Sequence, residues 1–302
     1  MTTAGKPIAG KQSFIDNLTG RPKLMLGLQI GPILFWIVFF LVIPLMIILF
    51  YSFCQRGFGG TIEHTFSLKN YIHFLATPIY RKILIKSIVI ALEVTIGALI
   101  VAYIPAYYIA TVKMKNRLFL LLLLIVPFWT SLLIRNYSWI LILGREGIIN
   151  VYLMRWGIIS EPIGLLYTEF SVVLGLVHWV LPFMVFPIFT TVDNIDFDLV
   201  DAAKNLGANS LQAFWRVTLP LSMPGIAAGC LLTFILTVGS FVTPALLGGP
   251  TDLMITMIIS QRFLTLFDWP FGSAASIVYL ILMIVFVLIY DRYVGLKRIM
   301  SM

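Results

Sequence analysis

Six stretches of the chain are apolar over roughly 20 residues, the length a helix needs to cross the hydrocarbon core of a bilayer. They run from Pro32 to Phe53, Ile85 to Val112, Leu118 to Trp139, Phe170 to Val192, Val217 to Ser240 and Ser273 to Tyr290. Each is too long and too uniformly apolar for the amphipathic face of a soluble helix. Several contain proline, including Pro44, Pro105, Pro127, Pro182, Pro187, Pro220 and Pro224. Membrane helices tolerate proline because neighbouring groups take up the freed carbonyls, and bends are expected there. The run beginning at Gly31 exceeds the 7–15 residues of a signal-peptide core, so it is expected to be a retained first helix. The pattern divides the chain into an N-terminal segment (1–29), a six-span domain (30–293) and a short tail (294–302).

Composition agrees with the pattern. Hydrophobic residues make up 60% of the 302 positions and charged residues 11%, where a soluble domain carries about 25%. The net charge is +8, but the basic residues flank the spans, which points to membrane lipids and not nucleic acid as their surroundings. With the N-terminus inside, the inner segments hold twelve Lys and Arg residues and the outer loops seven. Both termini are therefore expected in the cytoplasm. Of the seven outer ones, Arg56, Lys69, Arg81 and Lys82 lie in the first outer loop, so the bias is modest. Cys54 and Cys230 are poorly placed to bridge, and no metal-ligand spacing is present. Turns are expected at Glu161-Pro162, Gly248-Gly249-Pro250 and Asp268-Trp269-Pro270, with a short amphipathic helix over 150–159.

One inner loop, 196–220, has a helical pattern of its own. Leu199, Ala202, Ala203 and Leu206 recur at i, i+3, i+4 and i+7. Asp196 or Asp198 can cap the start of this helix, and Gly207 can close it in the left-handed conformation. Asn209 or Ser210 can cap a second short helix with Leu211, Phe214 and Trp215 on one face, and Pro220 then marks the start of the fifth span. Two short helices with a glycine break, lying along the membrane, would offer small residues for close approach. Phe214 would be an aromatic anchor. The same pattern also suits a loop that packs on its own bundle.

This loop resembles the EAA loop of permease subunits in ABC importers, with Asp201-Ala202-Ala203, Gly207, Phe214 and Leu219-Pro220 at the motif positions. The family usually has Glu where this chain has Asp201, so the charge is kept on a side chain one methylene shorter. Leu133 to Trp139, Glu146 to Asn150, Glu161-Pro162 with Leu166-Tyr167, Leu181 to Met184, Met223 to Gly229, Leu247 to Gly249 and Asp268 to Pro270 are similar to the spermidine/putrescine branch, and within it to the first of its two permeases. The resemblance implies an all-α integral membrane protein of the inner membrane, with the six-helix type I importer permease fold and cytoplasmic coupling helices. It implies alternating-access import of polyamines from periplasm to cytoplasm. The implied partners are a second homologous permease, two copies of an ATP-binding subunit and a periplasmic substrate-binding protein. The chain has no Gly-x-x-x-x-Gly-Lys-[Ser/Thr] phosphate loop, so it is expected to need no cofactor of its own, with ATP and Mg held by the partner ATPase.

Within the spans, Glu93 is the acid at membrane depth and a candidate for the substrate path. Trp129, Tyr137, Trp139 and Trp179 could add cation–π contacts to an ammonium group. The alternative for Glu93 is a buried partner such as His178. Glu146, Glu161, Glu169, Asp252 and Asp268 could meet a binding protein or be solvated loop charges. Rival cargoes are opines, amino-acid-like amines, phosphonates or iron. A stand-alone secondary transporter would need several coupling acids in its spans. A membrane enzyme would need a catalytic cluster that this sequence does not suggest.

Overall fold

The computed structural model describes residues 31–32, 34–58 and 61–294. The N-terminal segment 1–29 and most of the tail 294–302 lie outside them. Among the described residues, five helices are long and apolar enough to cross a membrane, and six if one sharply bent pair counts as a span. The first, α1 (Leu34–Ser52), leads into a two-residue hairpin in which β1 (Gln55–Arg56) pairs antiparallel with β2 (Ile62–Glu63). A short helix, α2 (Lys69–Ala76), precedes α3 (Pro78–Thr111), which at 34 residues begins seven residues ahead of the expected span.

The third span is the main departure from expectation. Leu118 to Trp139 does not form one helix. The segments Lys115–Trp129 and Leu132–Arg155 meet at 88°. The first contains α4 (Met114–Ile125) and a 3-10 turn at Val126–Trp129; the second contains α5 (Leu132–Leu143) and α6 (Ile148–Arg155). Pro127 lacks a backbone N–H, and Thr130 and Ser131 are extended. The hydroxyl of Thr130 donates to the Pro127 carbonyl at 2.6 Å, so a side chain takes up one acceptor exposed by the break. The helix expected over 150–159 runs from Ile148 to Arg155. Asn150 in it is buried, donating to the carbonyls of Gly144 and Ile163, both at 3.0 Å.

The remaining helices are α7 (Glu169–Asp193), α8 (Asp198–Asn205), α9 (Ser210–Val238), α10 (Val242–Leu247), α11 (Ile255–Leu264) and α12 (Trp269–Val294). The core lies where α3, α7 and α9 meet. Val94, Ala98, Ala102 and Ala106 form a fully buried row on α3, four residues apart, and Leu176, Val180, Met184 and Ile188 form the matching row on α7. Small residues on one side let the two helices approach closely, as membrane packing requires where no water is expelled. Gly225 and Gly229 play this part on α9. A Cβ at Gly225 would strike the Pro187 carbonyl and Thr191, and one at Gly229 would strike Met184. The first helix packs against α12 and is otherwise exposed.

Two ion pairs bracket the core. Lys86 meets Glu169 at 2.6 Å at the start of α3 and α7, and Arg117 meets Asp193 at 2.6 Å near their other ends. These helices therefore run parallel. The bundle has a hairpin end, with β1, β2 and α2, and a loop end, with α8 and the start of α9.

Candidate functional site

The segment 196–220 projects from the loop end. Helix α8 starts after an Asp196 carboxylate that accepts the Asp198 N–H at 3.0 Å. It is closed by a Schellman motif: the Ala208 N–H reaches the Ala203 carbonyl at 3.1 Å, and the Gly207 N–H reaches that of Lys204 at 2.9 Å. This closure needs a left-handed residue, and Gly207 has a φ of +92°. Asn209 then forms a capping box with Gln212, each side chain accepting the other's backbone N–H, at 2.8 and 3.0 Å. Asp201 is exposed and pairs with Lys204 at 2.9 Å.

The second short helix is not separate from the fifth span. Residues 210–213 run into a π-helical turn at Phe214–Thr218 and on into Leu219–Val238, so α9 is continuous from Ser210 to Val238. The expected span, Val217 to Ser240, begins too late. Pro220 tolerates this because it sits in the first turn of the α-helical stretch, after the wider π turn. Pro220 also lines a cavity of about 460 Å³ with Asp196, Leu199 and Pro224.

The face of this loop divides in two. Phe214 points inward and meets Tyr103 and Tyr107 of α3 edge-on, with ring centroids 5.6 and 6.1 Å apart. Leu206, Leu211 and Trp215 point outward and are 89%, 66% and 58% exposed. Ala202 is exposed and Ala203 half-buried. Leu219 is half-buried at the start of the α-helical stretch.

The candidates within the spans do not form one cluster. Glu93 is on α3, on a face turned away from this chain's own core. His178 does not pair with it, because its Nδ1 accepts the indole N–H of Trp139 at 3.2 Å. Trp179 packs near Phe183, and Phe183 near Phe128. Trp129, at the break, and Tyr137 are exposed. The charges that do gather were hard to see in the sequence. Lys86, two turns before Glu93 on α3, sits between Glu169 at 2.6 Å and Asp252 at 3.7 Å. Arg135 lies over the Phe128 ring at 4.7 Å and donates to the Thr130 carbonyl at 3.4 Å. A charged residue inside an apolar stretch was the available signal for both.

Three of the acids expected either to meet a binding protein or to be solvated loop charges are engaged within the chain. Glu169 and Asp252 hold Lys86, while Asp268 is buried against Arg262 at 3.3 Å and accepts the Phe271 N–H. Glu146 and Glu161 remain exposed.

Residues 99–297 match the family model described as the binding-protein-dependent transport system inner membrane component. The chain is 40% identical over 257 residues to the spermidine/putrescine transport system permease protein PotB of Escherichia coli K12, covering 85% of this chain and 93% of that protein. It is 40% identical over the same length to PotB of Haemophilus influenzae, covering 90% of that protein. A solved bacterial ABC transporter involved in the import of the acidic polysaccharide alginate superposes with a TM-score of 0.75 at 20% identity, over 90% of this chain and 95% of the other, a likeness of fold alone. The chain thus belongs to the family of binding-protein-dependent transport system inner membrane components, and it is a multi-pass transport permease of the ABC type, not an enzyme.

Proposed function

We propose that this permease carries polyamines of the spermidine/putrescine class from periplasm to cytoplasm, working with a second homologous permease, two copies of an ATP-binding subunit and a periplasmic binding protein. Identity of 40% with polyamine permeases from two organisms, along most of the chain, supports the cargo. ATP and Mg belong to the partner ATPase in this scheme. Both termini and the 196–220 loop lie in the cytoplasm, and the hairpin end lies outside.

The observation that carries the coupling role is the continuity of the loop with a span. Leu206, Leu211 and Trp215 offer an exposed apolar surface for a groove in the ATPase, at the loop end of the bundle. Trp215 and Leu211 lie on the same unbroken helix as the buried glycines of α9. Closure of the ATPase pair would displace this surface and swing α9 against α7, biasing the bundle between inward-open and outward-open states. Asp201, Ala202, Ala203 and Gly207 set the shape of the docking surface, and Leu219 and Pro220 join it to the span. Phe214 ties the surface to α3 from inside.

For the path itself, Glu93 is the proposed ammonium-binding carboxylate, on a face free to meet the second permease. Exposed Trp129 and Tyr137, and Trp139 and Trp179 packed within the bundle, are the aromatic candidates for cation–π contacts at other points along the path. Uptake of labelled spermidine and putrescine by the reconstituted complex tests the cargo. ATP-dependent uptake of either is expected. Uptake of a phosphonate, an opine or iron with no polyamine transport would overturn it.

A further inference from the structure

The hairpin end holds a cavity of about 300 Å³ lined by Arg56, Lys69, Asn70, His73, Arg262 and Asp268, among others. Its charges do not balance. Asp268 is already bound to Arg262 and to the Phe271 N–H. Arg262 is held further by the Tyr80 hydroxyl at 2.6 Å, and Arg56 by the Leu266 carbonyl at 2.9 Å. Both guanidinium groups are thus fixed in place by neutral partners or by a carboxylate that is already shared. The described residues give Lys69 no acidic partner. The cavity keeps a surplus of positive charge and several N–H donors, the chemistry that recognises a phosphate group.

The helix beside the cavity carries a second face that is apolar and unpartnered. Helix α2 is only eight residues long, too short to span, and buries Phe74 against Tyr80 and Phe271. Leu68, Ile72 and Leu75, spaced i, i+4 and i+7 along and just before it, are 58%, 63% and 54% exposed. Lys69, Asn70 and His73 of the same helix face the cavity. A short helix with a cationic side and an exposed apolar side lies in the plane of a membrane interface. Trp269, against Tyr51 with centroids 6.2 Å apart, marks that level at the start of α12.

From these observations we infer that this cavity binds the phosphodiester headgroup of an anionic phospholipid, with an acyl chain running along Leu68, Ile72 and Leu75. The occupant also gives a use to two of the four basic residues of the first outer loop, Arg56 and Lys69. A carboxylate from a soluble protein would use the cations but leave the apolar stripe uncovered.

The test uses the full chain in its assembled complex, purified from nanodiscs holding equal amounts of phosphatidylglycerol and phosphatidylcholine, with retained lipid counted by native mass spectrometry. The wild type is expected to retain phosphatidylglycerol preferentially, and K69Q and R56Q each to lower that retention about fivefold, with phosphatidylcholine unchanged. Lys69 is exposed and holds no structural bond to an acid, so K69Q keeps the test usable if R56Q folds poorly. Equal retention of the two lipids by the wild type would overturn the assignment. So would unchanged phosphatidylglycerol in K69Q, or its displacement by millimolar inorganic phosphate, which would mark a site for soluble anions. None of these outcomes depends on the cargo carried.

Discussion

Phe214 meets Tyr103 edge-on, with ring centroids 5.6 Å apart and planes at 87°. One residue belongs to the π turn that joins the loop to α9, and the other to the long helix α3. The contact therefore ties the start of the fifth span to the second. Tyr103 also shares a hydrogen bond with Ser222 of α9 at 3.1 Å, so the two helices are joined by a ring pair and a polar pair at one level.

Removing that ring should loosen the tie without removing the outer docking surface. F214A is expected to lower thermal stability by about 1 kcal/mol or more, from the lost aromatic pair and its burial. The ATPase subunit should still co-purify, because Leu206, Leu211 and Trp215 are untouched. Thermal unfolding and pull-down together check this. Loss of ATPase binding with unchanged stability would place Phe214 in the outer interface instead.

A Cβ at Gly225 has no room to form. Because the obstruction includes the Pro187 backbone carbonyl as well as Thr191, side-chain rotation cannot relieve it. G225V should therefore separate α9 from α7 and sharply reduce the amount of folded permease in membranes. G157V is a control, since a Cβ there meets nothing within 4 Å, although its φ of +68° adds backbone strain. Equal yields of the two variants would contradict the packing described.

Charge at Glu93 is predicted to matter at low substrate. E93Q should raise the KM for spermidine about tenfold or more, the worth of one charge-assisted hydrogen bond, with less effect at saturation. Uptake measured across substrate concentration decides it. Undiminished transport at low substrate would remove Glu93 from the path.

Cys54 gives a prediction with a pH direction. It lies just beyond α1, is 1% exposed, and burial pushes its thiol above the ordinary value. The thiolate is the reactive form, so a raised value leaves less of it at any pH below the thiol's own. In a C230S background, maleimide labelling of the folded protein should be slower than for a free thiol at pH 8, and its rate should go on rising at alkaline pH where that of a free thiol has levelled off. Intact-mass kinetics read this directly.

Much of the architecture was legible because apolar runs of about 20 residues have few other uses. The loop was legible too: Gly207 closes α8 and Asn209 caps the next helix, as the residue types suggest. What escaped was non-local. Nothing in 118–139 distinguishes a bent helix from a broken one, since Pro127 is compatible with either. The continuity of α9 through Phe214–Thr218 depends on a π turn with no sequence signature, and the proline at 220 argued for a later start. The pairing of Lys86 with Glu169 and Asp252 joins residues far apart in the chain, so the sequence left those acids as either binding-protein contacts or solvated loop charges. Glu93 is exposed in the single chain, and in the proposed assembly the second permease completes the face that carries it.

The most direct test of the coupling account is the ratio of substrate imported to ATP hydrolysed in the reconstituted complex. G207V should strain the left-handed position by about 1–2 kcal/mol, with no clash to confuse the result, because the space around Gly207 is open. D201K reverses the charge that pairs with Lys204. Both variants are predicted to assemble with the ATPase yet import less substrate per ATP than the wild type. Full coupled transport with normal ATPase assembly in both would contradict a role for this loop in transmission.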